Sequence, residues 1–191
     1  MEAGRSFTLS DLARRLEVPQ YKLIHLCEKD VVVPDLQDAH GRGSSRVFSD
    51  RNFLELAVAV RLRSAMLPVA AVSAVLHLLR AFADRLHGEL SWFSLPGSLR
   101  ERHAPDLRII VSDGRAIYFS LARADGEPKL FGGIPLDQLG GKPPAIKPAR
   151  AAPTSSGRKG AATGEFGGPE GSRFVRLELS VTEVARSLAL E

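Results

Sequence analysis

Residues 7–34, FTLSDLARRLEVPQYKLIHLCEKDVVVP, carry the reading on which the fold of this chain turns. Leu9, Leu12, Ala13 and Leu16 recur at helical spacing, Val18-Pro19 interrupts the pattern, and QYKLIHLCEK opens a second short helix at Gln20. Two short helices joined by a tight turn predict a helix-turn-helix. In the second helix Leu23, Leu26 and Cys27 share one side and read as its buried face. Tyr21, Lys22 and His25 then share the outward face, with Gln20 at its start. These side chains can hydrogen-bond base edges and phosphates.

Working outward, the extended run VVVP leads to a glycine-rich segment, DAHGRGSSRVF at 38–48, with the character of a wing. Arg42 and Arg46 are placed there to meet phosphates. Ser49 is an expected N-cap for a third helix, DRNFLELAVAVRLRSAM, and Pro68 sits where a fourth would begin. In that fourth helix Val72, Val75, Leu79, Phe82 and Leu86 form one apolar stripe. Two heptads are too few to favour a coiled-coil dimer seam, so core packing is the expectation.

Taken together, TLSDLARRLEV, PQYKLIHLCEKDVVVP, RVFSD and the helices from Asp50 and Pro68 resemble the DNA-binding domain of MerR-type transcriptional regulators. The resemblance covers somewhat under half of the chain. It implies a winged helix-turn-helix bound to double-stranded DNA, with Gln20, Tyr21, Lys22 and His25 on the recognition surface. Arg46 matches the wing arginine, and Arg14 or Arg15 the first-helix position that reaches the DNA backbone. Where the family carries Arg-Tyr-Tyr-Glu or Arg-Tyr-Trp-Glu, this chain has Ile24-His25-Leu26-Cys27, without the phosphate-binding arginine. Gly88 and Pro96 also end the helical pattern before the family's long dimerisation helix. A looser resemblance is to VapB-type antitoxins, which implies a protein-interaction module working through the strand region.

Residues 106–134 read mainly as strand. LRIIVS and RAIYFSL flank Asp113-Gly114, a pair suited to a two-residue type I′ turn. Counting outward from that turn pairs Ile110 with Ile117 and Ile109 with Tyr118, leaving apolar side chains on both faces. KLFG at 129–132 supplies a third strand and RFVRLELS a fourth; Ser180 and Glu183 then open a short helix with Val184 and Leu188 on one face. Trp92 and Phe93 are expected to pack between the helical and strand units.

Between these strands the composition changes sharply. Residues 141–172 are dominated by Gly, Pro, Ala, Ser and Thr, and cannot bury enough surface to offset chain entropy. The expected organisation is α+β: a winged helical domain (1–88), a small antiparallel sheet domain (89–140), a disordered basic linker (141–172), and a C-terminal strand and helix (173–191) completing the sheet.

Charge qualifies the nucleic-acid reading. The 191 residues carry 26 Lys plus Arg against 22 Asp plus Glu, a net +4. Residues 141–164 hold five basic side chains, Lys142, Lys147, Arg150, Arg158 and Lys159, and no acid. Since that exceeds the whole net charge, the folded part is close to neutral. Placement of a few residues, and not overall charge, has to carry a DNA-binding argument.

Other classes find no footing. A single cysteine excludes an internal disulfide framework and a clustered-cysteine zinc site. His77 and His87 stand too far apart along one helix to share a metal. There is no G-x-S-x-G, H-E-x-x-H or C-x-x-C, and Gly41-Arg42-Gly43 lacks the remaining features of a phosphate loop. The expectation is a non-enzyme without catalytic, metal or cofactor site, cytoplasmic, without membrane contact, and acting as a homodimer.

Overall fold

The computed structural model describes residues 5–37, 45–112, 116–122, 126–135 and 176–189. Helix and sheet are mixed in it. The elements are β1 (Ser6–Thr8), α1 (Leu9–Arg15), α2 (Gln20–Glu28), β2 (Val47–Ser49), α3 (Asp50–Ser64), α4 (Val69–Glu89), α5 (Gly97–Arg100), β3 (Asp106–Ser112), β4 (Ala116–Ala122), β5 (Lys129–Pro135), β6 (Arg176–Ser180) and α6 (Val181–Ser187).

Local chemistry sets most boundaries. Thr8 caps α1 in a reciprocal box with Asp11, and the Thr8 hydrogen bonds hold the Asp11 carboxyl below its usual range. Ser49 and Ser180 cap α3 and α6, accepting from Asn52 N and Glu183 N. Helices α1, α2 and α3 all end with a left-handed residue, Glu17, Asp30 and Met66. In each the amide of that residue and the one after it turn back onto the last helical carbonyls, as in Val18 N to Ala13 O and Val31 N to Leu26 O, both 3.0 Å. The first of these turns joins α1 to α2.

Helix α3 is buried on almost every side, with Phe53, Leu54, Leu56, Ala57, Val58, Ala59 and Leu62 all enclosed. On α4 the stripe Val72, Val75, Leu79, Phe82 and Leu86 is buried within the chain. It forms core and leaves no seam for a second copy. Phe82 stacks on Phe119 of the sheet at 5.0 Å between ring centroids and tilts against Phe131 at 5.1 Å. The apolar core thus runs without a break from the helical half into the strand half.

Strands β3 to β6 form one antiparallel sheet in the order β5-β4-β3-β6. Its register differs from the expected one. Ile109 pairs with Phe119, Ile110 with Tyr118 and Val111 with Ile117, so three residues, 113–115, separate the paired strand ends instead of two. The turn itself lies outside the described residues. The observed register matches Leu107, Ile109 and Val111 with Leu121, Phe119 and Ile117 on the face toward α4, whereas a slip by one would split that set across both faces. Apolar side chains stand on both faces, as expected, but the outer face is mixed with charge. Opposite the core lie Arg108, Ile110, Tyr118, Leu130, Arg176 and Glu178, and Arg108 bridges Asp106 and Glu178 in an ion-pair ladder. Those two carboxylates, Glu178 first, raise the Arg108 pKa above its ordinary value.

The last strand and helix are integral to the body. β6 pairs with β3, and α6 buries Val181, Val184, Ala185 and Leu188. Thr182 Oγ1 accepts from Leu107 N and donates to Pro105 O, both at 2.8 Å. Arg100 donates to the Asp50 carboxylate at the start of α3 and to Ala185 O at 3.4 Å, tying α3, α5 and α6 together. Phe93 packs into the core as expected, but Trp92 does not: its side chain is 55% exposed. Trp92 lies edge-on to the Phe93 ring at 6.1 Å, so Phe93 alone supplies the inward aromatic.

Forty residues, 136–175, separate β5 from β6. By the pairing of Ala116 with Pro135 and of Ser112 with Arg176, both ends leave the same end of the sheet, three strand spacings apart. That gap is about 14 Å. Deleting 141–172 leaves eight residues, enough for about 28 Å. The shortened chain should keep its circular dichroism spectrum and its oligomeric state. Its stability should rise by about 1.4 kcal/mol from the lower loop-closure cost. A loss of the melting transition on this deletion would show that the segment contributes to the fold.

Candidate nucleic-acid interface

The first two helices hold their outward side chains on a fixed base. Leu12 and Ala13 of α1 and Leu23, Leu26 and Cys27 of α2 are buried, the last as a free thiol inside the core. Gln20, Tyr21, Lys22 and His25 are exposed, as the periodicity requires, and Tyr21 is 66% exposed. None of these four side chains has a hydrogen bond or ion pair among the described residues.

At about 100° per residue, Tyr21, His25 and Glu28 fall within about 60° of one another, facing away from the Leu23, Leu26 and Cys27 stripe. Lys22 and Lys29 run side by side along one flank of this ridge, about 10 Å apart along the axis. Glu28 and Lys29 are both exposed and were missed as site residues. Extending the Tyr21 and His25 spacing by one more turn would have found Glu28.

Other expected residues are less uniform. Arg14 is exposed and pairs with Asp11 at 2.9 Å, a contact screened by water and easily exchanged for a phosphate. Arg15 lies over the Phe7 ring at 5.5 Å. Arg46 is half-buried and is held by contacts of its own. Arg42 lies outside the described residues. The base of the wing segment is nevertheless closed: Gln37 and Val47 exchange backbone hydrogen bonds at 3.2 and 2.8 Å, and β2 pairs with β1 through Phe7 and Phe48.

Beneath this base runs a polar network that joins residues far apart in the chain. Ser49 N and Oγ donate to the Asp35 carboxylate, and Asp35 N donates to Asn52 Oδ1 at 2.9 Å. Asn52 Nδ2 donates to Val33 O at 3.2 Å and to Glu55 at 3.3 Å. Arg80 of α4 meets both Glu55 oxygens at 2.8 Å and reaches Val31 O at 3.2 Å. The Glu55 hydrogen bonds outweigh burial and raise the Arg80 pKa, keeping the guanidinium charged. The strap between α2 and the wing, residues 31–37, is thereby fastened to α3 and α4.

Among the described residues, no helix is long and apolar enough to cross a membrane, and no group of three or more His, Cys, Asp and Glu could hold a metal. No protein-family model matches the chain, and no curated protein matches its sequence.

Proposed function

We propose that this protein is a DNA-binding transcriptional regulator of MerR type. In this reading α2 enters the major groove, Tyr21 and His25 meet base edges, and Gln20 contacts the groove at the helix start. Lys22, Arg14 or Arg15, Arg42 and Arg46 hold phosphates, the last two from the wing. The observation carrying it is the unpartnered polar ridge of α2, set on a buried apolar stripe beside a closed wing base. Two copies on a two-fold site are expected, joined through a surface other than the α4 stripe.

The rival reading, an antitoxin or adaptor whose sheet binds a protein, drew on apolar side chains on both sheet faces. The outer face is mixed, carrying Ile110, Tyr118 and Leu130 beside the Arg108 ion-pair ladder.

The test is selection of bound fragments from a random duplex pool, followed by a salt titration of affinity. Lys22→Ala and Arg46→Ala should each lower the log–log salt slope by about 0.9 and weaken binding to all sequences alike. No salt-dependent retention of duplex DNA, together with co-purification of a protein partner, would decide for the rival.

A further inference from the structure

The recognition surface carries one side chain that phosphate binding does not explain. Glu28 is exposed, sits on the same ridge as Tyr21 and His25, and has no partner among the described residues. A carboxylate there repels the DNA backbone, so a surface evolved only for nonspecific attachment would gain by losing it. Lys22 and Lys29 line one flank of the ridge, so the acid sits between the cations and the far side and not among the phosphate-facing groups.

Resting on the DNA-binding reading above, we propose that Glu28 is a specificity-determining residue that accepts a hydrogen bond from the exocyclic amine of a cytosine in the major groove. The groove edges select the base. Guanine offers the acceptors O6 and N7, and thymine offers O4, all of which oppose a carboxylate. Adenine has an amine, but its N7 acceptor lies beside it. Cytosine's amine has an acceptor on one side only, the O6 of its paired guanine, whereas adenine's N6 stands between N7 and the O4 of its paired thymine. From Tyr21 to Glu28 the helix rises about 10.5 Å, so the cytosine lies about three base pairs from the pair met by Tyr21.

The experiment uses the full chain and a random duplex pool, with wild type, Glu28→Gln and Glu28→Ala compared on the enriched site and on its single-base variants. Wild type should prefer C at one position by about tenfold or more. Glu28→Gln should move that preference to A, since an amide can pair with both N6 and N7 of adenine. Glu28→Ala should abolish it while leaving the other positions unchanged. The proposal is overturned if both variants bind every sequence more tightly by one common factor, which is simple relief of repulsion. If wild-type protein retains no duplex DNA in a salt-dependent way, the DNA-binding reading fails, and this proposal with it.

Discussion

Ending the chain after Ser172 should abolish cooperative unfolding. The loss removes β6 from the edge of β3 and takes Val181, Val184 and Leu188 out of the core. Burying each such side chain contributes about 1.5–3 kcal/mol, so the three together approach the whole stability of a typical domain, about 5–15 kcal/mol. Leu107 N and Pro105 O also lose Thr182, leaving two backbone groups without the partner that now serves them. The exposed β3 edge then offers a template for pairing with other chains. A thermal melt should show no sigmoidal transition, and size exclusion should show aggregate. A truncated protein melting cooperatively within a few degrees of the full chain would disprove the role assigned to this segment. The contrast with deletion of 141–172, which should be harmless, separates the ends of the segment from its middle.

The second large effect is expected at Glu55. Glu55→Ala strands the Arg80 guanidinium, takes a partner from Asn52 and leaves Arg51 one acid fewer. Breaking a buried pair costs about 3–5 kcal/mol. Arg80 keeps 29% exposure and part of its hydration, so about 2–3 kcal/mol is expected here, a fall in Tm of about 5–10 °C. Glu55→Ala/Arg80→Leu should recover much of it, because no charge is then left unpaired, giving a coupling energy of about 1–2 kcal/mol in a double-mutant cycle. Strictly additive losses would mean that the pair contributes nothing beyond two independent side chains. If the strap at 31–37 orients the wing, duplex affinity of the folded Glu55→Ala protein should fall below that of wild type at a temperature where both are native.

Features governed by a few neighbouring residues were legible in the sequence. The caps Ser49 and Ser180, the start of α4 after Pro68 and the buried stripe of α2 all follow from spacing and side-chain chemistry within one or two turns. The hairpin register was not, because Asp113-Gly114 suggests a local turn while the inner face of the sheet fixes the pairing from across the core. β1 and β2, three residues each, are too short to show alternation, although Phe7 and Phe48 each stand just ahead of a helix cap. Trp92 and Phe93 are adjacent aromatics, and composition alone cannot say which ring turns inward. The link between Glu55 and Arg80 spans 25 positions, yet a glutamate inside the apolar run FLELAVAV was itself a sign that a buried partner exists. On the candidate interface, the exposed positions of α2 followed from periodicity, whereas Glu28 stands at the last helical residue, where the pattern of QYKLIHLCEK does not mark how far the ridge extends.

The order β5-β4-β3-β6 also has a meaning in time. The strand that completes the sheet is the last to be synthesised, and forty residues must be added between β5 and β6. At ordinary elongation rates that interval is roughly 2–8 s. During it the nascent protein carries α1 to α5 and β3 to β5 but lacks the segment that closes the core. Closure of the core therefore waits until β6 and α6 have been made, and a polypeptide ended before them presents an unfinished sheet.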